Sequence, residues 1–181
     1  GYFKKQNMEA DRLKFPIGRC PNTKAASEIE IETWISEIEI FPAQLAIRTA
    51  GLTTTQLDLK YRTNGWTIAE VINHCADSHM NSFIRFKLTL TEDQPTIKPY
   101  FEDRWANGSD YSNDSVSDSL LILKGLHTRW AKLLRSLDTT QLERTFIHPE
   151  HGTEVSIVEN IGIYAWHCKH HLAHIEEALA R

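Results

Sequence analysis

Four long stretches of this chain repeat apolar residues at three- and four-residue steps, the spacing of a helix with one buried face. From Ser27 onward, Ile31, Trp34, Ile35, Ile38, Phe41 and Leu45 share such a face. The E-I-E-I-E alternation at its start is briefly strand-like, but the length of the segment favours helix. Pro42, which has no backbone N–H, predicts a kink or a break there, and Gly51 follows as the C-cap. A short helical turn is expected around residues 56–59. The second stretch has the clearest start: Thr67 and Glu70 form a T-x-x-E capping box, and Trp66 and Val71 have the spacing of a hydrophobic staple. It predicts a helix over about 68–91. Ser115 and Asp118 open a third, whose face is Leu120, Leu123, Leu126 (or His127), Trp130, Leu133, Leu134 and Leu137. Ser156 with Glu159 forms another capping box and starts a fourth, continuing to the C-terminus.

Between the helices the pattern changes. Residues 92–114 are rich in Pro, Gly, Asp and Asn with aromatics interspersed, too long for a simple connection and of the kind that lines a site. Residues 144–157 read as two short strands around a His-Pro-Glu-His-Gly turn. The expected fold is all-α: a four-helix bundle with a long crossover loop in the middle and a small β-hairpin before the last helix. Residues 1–26, with Pro16, Gly18 and Pro21, read as an N-terminal arm, and 27–181 as a single bundle domain.

Composition narrows the function classes. With 181 residues, 41% hydrophobic and 24% charged, the chain suits one folded domain and excludes disorder. No uncharged stretch approaches the ~20 residues of a membrane span, and the first ten residues hold no apolar run of a secretory signal, so a cytoplasmic location is expected. A net charge of -4 without a basic stripe argues against nucleic-acid binding. Cys20, Cys75 and Cys168 lie far apart with no C-x-x-C pair, as in a reducing compartment.

Histidine carries the candidate chemistry. The chain has nine, and four fall within residues 167–174. On a helix, positions i and i+4 lie roughly 40° apart and can reach one ion. His167/His171 and His170/His174 both have this spacing. The apolar side defined by Ile161, Tyr164, Cys168, Leu172, Ile175 and Leu179 favours the first pair, because a bundle metal needs ligands that point inward. A third ligand is required, and the second helix offers His74 or His79, between which periodicity does not choose.

The segment GWTIAEVINHCADSHMNSFIRFKLTLTED, the later AWHCKHHLAHI, and the intervening PTIKPY and HTRWAKLLRSL resemble the YfiT-like branch of the DinB superfamily. The likeness runs from Pro16–Gly18 nearly to the C-terminus. Proteins of this branch are described as metal-dependent hydrolases and bacillithiol S-transferases. The resemblance implies one divalent metal per chain, zinc or nickel, held by His74, His167 and His171. His79, His170 and His174 then become packing, supporting or rim residues. It further implies a homodimer and a small-molecule thiol with an electrophilic or hydrolysable substrate, and it supports thiol transfer, the preferred reading, at least as well as hydrolysis, from which the sequence does not separate it. The alternative is a non-catalytic dimeric metal-binding module for stress or interaction.

Other residues are weighed against plainer roles. Cys75 and Cys168 each follow a proposed ligand but diverge from it by roughly 100°, so they read as small buried hydrophobes. Asp77 and Asp103 could accept an imidazole N–H but read more simply as solvated acids. Glu154 and His148 are candidates for an acid or base without evidence of reach. Trp34 and Trp130 suit the core, and Trp105 the wall of a pocket.

Overall fold

The structure, a computed structural model, describes residues 1–181. In chain order the elements are α1 (Tyr2–Lys14), α2 (Glu28–Thr49), α3 (Thr54–Leu57), α4 (Ile68–Thr91), α5 (Glu102–Trp105), a 3-10 turn (Asn113–Ser115), α6 (Val116–Arg135), α7 (Thr139–Leu142), β1 (Thr145–Ile147), β2 (Glu154–Ser156) and α8 (Ile157–Leu179). The four long helices α2, α4, α6 and α8 enclose the core, in which Trp130, Phe41, Phe86 and Ile38 are almost fully buried. No helix is long and apolar enough to cross a membrane.

The side-chain pairings give the directions. Asn73 meets Ser119 and His79 meets His127, so α4 and α6 run parallel. Glu37 meets Lys169 and Arg48 meets Glu176, so α2 and α8 are also parallel. Ser78 meets Tyr164 while His74 meets His171, which sets α4 antiparallel to α8. Because α4 and α6 are parallel neighbours, the chain must travel the length of the bundle between them, and residues 92–115 are the crossover. This loop bridges β1 through Ile97 N–H to Ile147 O (3.2 Å), then returns along α4, where Asn73 Nδ2 donates to Ser112 O (3.1 Å).

Local chemistry explains the helix starts. Ser27/Glu30 and Thr67/Glu70 are full capping boxes, and Ser156 accepts the Glu159 N–H at 3.0 Å. Thr67→Ala removes the cap of the helix that carries His74, and its expected cost is about 1 kcal/mol, read as a lower urea midpoint at unchanged slope.

Three expectations change. The N-terminal arm is half helix: α1 contains only one buried residue, Leu13, so it has no apolar stripe to betray it, and good helix formers such as Lys, Gln, Met, Glu and Ala supply its propensity. The rest of the arm is tied to α8 by Thr23, whose Oγ1 donates to Glu159 O at 2.8 Å. Gly162 permits this approach, since a Cβ there would lie 2.5 Å from Thr23 Cβ. Ser115 makes no side-chain cap, because its αR backbone continues the 3-10 turn into α6. Finally, α2 runs through Pro42 as one helix. A residue at position 42 would normally donate to the carbonyl four positions earlier, that of Ile38. His127 Nδ1 supplies the missing donor at 2.5 Å, which leaves no buried carbonyl unpaired there.

Candidate metal centre

His74 projects from α4, and His167 and His171 project one turn apart from α8. Antiparallel packing brings the three rings together, with one nitrogen from each within 4.8 Å of the others. The His167 and His171 Nε2 atoms lie 3.1 Å apart, and the His74 ring centroid is 4.8 Å from that of His171. Two imidazole nitrogens bound to one ion at ~2.0–2.1 Å sit about 3.0–3.4 Å from each other, so this spacing suits a cation between them.

The other ring nitrogens are occupied. His74 Nδ1 meets the Tyr100 hydroxyl at 3.2 Å, His167 Nδ1 meets His79 Nε2 at 2.9 Å, and His171 Nδ1 meets His174 Nδ1 at 3.2 Å. Beyond these, His79 Nδ1 lies 2.6 Å from His127 Nε2, and His174 Nε2 lies 2.8 Å from Lys14 O. Three further groups, His79/His127/Cys168, His170/His171/His174 and, in the hairpin turn, His148/Glu150/His151, are also compact. In the first, both nitrogens of each histidine are already engaged, and in the second His174 is held by Lys14 and His171. The set His74/His167/His171 alone combines three rings with Nε2 atoms free of such partners.

Burial makes these rings neutral. It pulls His74 down to about 3, reinforced by the positive charge His170 and His174 would carry, and holds His167 and His171 well below the ordinary imidazole value. Neutral imidazole is the form that ligates metal.

His167 and His171 line a cleft of about 470 Å³, the volume of a small-molecule site, while His74 is buried. Phe15, Tyr61, Trp66 and Trp166 give it aromatic walls, and Lys14 and Arg62 stand at its edge. Glu102, from α5 in the crossover loop, lines the cleft and places Oε2 3.9 Å from His74 Nε2. Partial burial, then the neighbouring Asp103, shifts its carboxyl upward.

The remaining sequence candidates sort cleanly. Cys75 and Cys168 are buried and their thiols are pushed up by burial, as expected of inert small side chains. Asp103 lines the cleft, whereas Asp77 stands beside Tyr111 rather than an imidazole, and the group that meets His74 Nδ1 is the Tyr100 hydroxyl. Glu154 is bound to Gln94 on the hairpin, and His148 lies in the turn with Glu150, so neither reaches the cluster. Trp34 packs against the core and Trp130 lies within it. Trp105 packs edge-on against Tyr100 and leaves the cleft wall to Trp66 and Trp166. His170 and His174, expected as packing, supporting or rim residues, are buried because α1 and Phe15 cover that side of α8. Glu102 and His127 escape sequence reasoning as site residues: the first sits in an aperiodic loop, and the second reads as an alternative to Leu126 on a core face.

Fold and cluster together define a helical-bundle protein with a histidine site able to hold a metal, opening into a small-molecule cleft. The chain belongs to the DinB superfamily, whose family model matches residues 37–175. It is 51% identical over 168 residues to a protein of Oceanobacillus iheyensis named "putative metal-dependent hydrolase", covering 93% of this chain and 96% of that one. A protein of Bacillus thuringiensis subsp. konkukian with the same description is 50% identical over 163 residues, covering 90% and 93%. Among solved structures, YfiT from Bacillus subtilis, described as "a probable metal-dependent hydrolase with an unusual four-helix bundle topology", superposes with a TM-score of 0.90 at 42% identity, covering 94% of this chain and 97% of that one.

Proposed function

We propose that this protein is a metal-dependent hydrolase in which His74, His167 and His171 hold one divalent cation, zinc or nickel, and Glu102 acts as the general base. The observation that carries the reading is the convergence of three buried rings, one nitrogen of each within 4.8 Å of the others and the Nε2 atoms of His167 and His171 facing each other, with the Glu102 carboxylate 3.9 Å from His74 Nε2. Two ring nitrogens 3.1 Å apart on one side of the cluster have the separation of two ligands on a single cation, which would turn the repulsion between their lone pairs into a shared attraction. The names of the relatives at about half identity support the same chemistry.

A divalent cation held there supplies Lewis acidity, which polarises a carbonyl and acidifies a protic nucleophile. The chain's own groups do the rest. Glu102 Oε2 receives the nucleophile's proton, and the upward shift of its carboxyl makes it a stronger base than an unperturbed carboxylate. Tyr100 fixes the His74 ring, and the aromatic walls exclude water from the body of a bound substrate. Thiol transfer is the second reading, favoured by the size of the cleft, which has room for an organic nucleophile as well as an electrophile. Glu102 can take the proton of a thiol as it can that of water, and the thiol is the stronger acid of the two.

The test loads the purified chain with zinc or nickel and offers activated esters and amides, and separately a haloaromatic with a panel of small thiols. Thiol-independent release of acid or amine, with kcat lowered about 10²–10⁴-fold in Glu102→Gln at unchanged metal content, supports hydrolysis. Product that forms only with a thiol assigns transfer instead. Metal-loaded protein inert towards every substrate yet bound to a specific partner would favour a metal-storing or interaction module.

A further inference from the structure

A neutral imidazole has one nitrogen that donates and one that accepts, so a chain of such rings ending on a carbonyl has its proton positions dictated from that end. Two chains of this kind end in the cluster. Ile38 O can only accept, which puts the His127 proton on Nδ1 and makes His127 Nε2 an acceptor. The atom facing it at 2.6 Å, His79 Nδ1, must then donate, and His79 Nε2 must accept from His167 Nδ1 at 2.9 Å. Lys14 O likewise takes the His174 Nε2 proton, so His174 Nδ1 accepts from His171 Nδ1 at 3.2 Å. Both chains leave Nε2 of His167 and of His171 without a proton, and those are the two atoms that face each other at 3.1 Å.

We propose that His127, His79 and His174, anchored on the carbonyls of Ile38 and Lys14, are positioning residues that lock His167 and His171 into the tautomer whose Nε2 lone pair faces the metal. A free imidazole in water prefers its proton on Nε2, the opposite arrangement. Each anchor exists because a helix leaves its carbonyl without a backbone donor. Pro42 lacks the N–H that would occupy Ile38 O inside α2, and Lys14 is the last residue of α1, where carbonyls have no partner within the helix. The proline and the N-terminal helix thus act on the site through two ring chains. The Tyr100 hydroxyl can donate or accept, so His74 is held in place but not locked in the same sense.

This inference rests on the three-histidine reading only for the identity of the ligand, and its first readout needs no metal. In the chelator-treated, 15N-labelled full chain near pH 7.5, long-range proton–nitrogen correlation of the rings reads each tautomer. The expected pattern is Nδ1-protonated His79, His127, His167 and His171, with Nε2-protonated His174. A predominant Nε2–H form of His167 or His171 would overturn the lock. The second readout is zinc affinity by competition with a chelating indicator. His127→Phe keeps the ring's bulk but removes the acceptor, and its expected loss is about 10–100-fold, the usual effect of deleting an outer partner of a metal ligand. His127→Gln, whose Oε1 reaches the place of Nε2, restores the acceptor and most of the affinity. Equal loss in both variants would mean packing alone and would also overturn the proposal. A wild-type chain that shows the expected proton pattern but binds neither zinc nor nickel keeps the lock and removes the metal reading.

Discussion

His167→Ala is expected to lower zinc affinity by more than about 100-fold, a larger loss than follows from deleting an outer hydrogen-bond partner. The substitution removes one of three nitrogens and leaves only two, on His74 and His171, fewer than the three protein ligands of a catalytic zinc site. It also strands His79 Nε2, which has no other partner at that position. His167 Nε2 and His171 Nε2 form the closest pair in the cluster, so losing either breaks the pairing that best suits an ion. The measurement is elemental analysis after dialysis against a metal buffer, with affinity from competition. His151→Ala, in the exposed hairpin turn, serves as the control and retains wild-type content. Full metal content in both His74→Ala and His171→Ala would eliminate the proposed centre.

Acid should unfold the metal-free protein steeply. Burial pulls His74 and His170 down to about 3 and His127 and His174 to about 4, and it holds His79, His167 and His171 well below the ordinary value. In the unfolded chain each takes a proton near pH 6.5. Their folded values are therefore depressed: stability is complete above about 6.5 and is lost as pH falls towards 3 or 4, because the unfolded state binds protons the folded state refuses. At pH 5 the loss approaches about 2 kcal/mol for each ring that stays neutral. The seven rings together approach about 14 kcal/mol at that pH, comparable with the ~5–15 kcal/mol that holds a domain folded, so the expected transition lies between about pH 6 and pH 4. Circular dichroism with urea titrations across this range would measure it. A urea midpoint that stays flat from pH 7.5 to 4.5 would show that the rings are not buried as neutral groups. Zinc competes for the same nitrogens, so metal release should follow the same direction with pH.

Helix positions were legible wherever two independent local signals coincided. For α4, the capping box and the apolar period agree, and its bounds are those expected. Where only one signal existed, the reading slipped. The helix α1 has propensity without an apolar stripe, and Pro42 signals a break only if its orphaned carbonyl finds no donor, which is a question about α6 rather than α2. The i,i+4 spacing singled out His167/His171 by face, and the choice between His74 and His79 needed the family resemblance, since both lie on buried turns of α4.

The order of residues along the chain was enough to establish four amphipathic helices, a crossover loop, a hairpin and a histidine-rich last helix, because periodicity and capping act over a few neighbours. Which nitrogen of each ring faces the site, how Glu102 reaches it from an aperiodic loop, and how Pro42 and the end of α1 bear on it were decided only in three dimensions. Hydrogen-bond direction is a property of pairs, and the pairs that anchor and link the ring chains join residues distant in the sequence: Ile38 to His127, His79 to His167, Lys14 to His174.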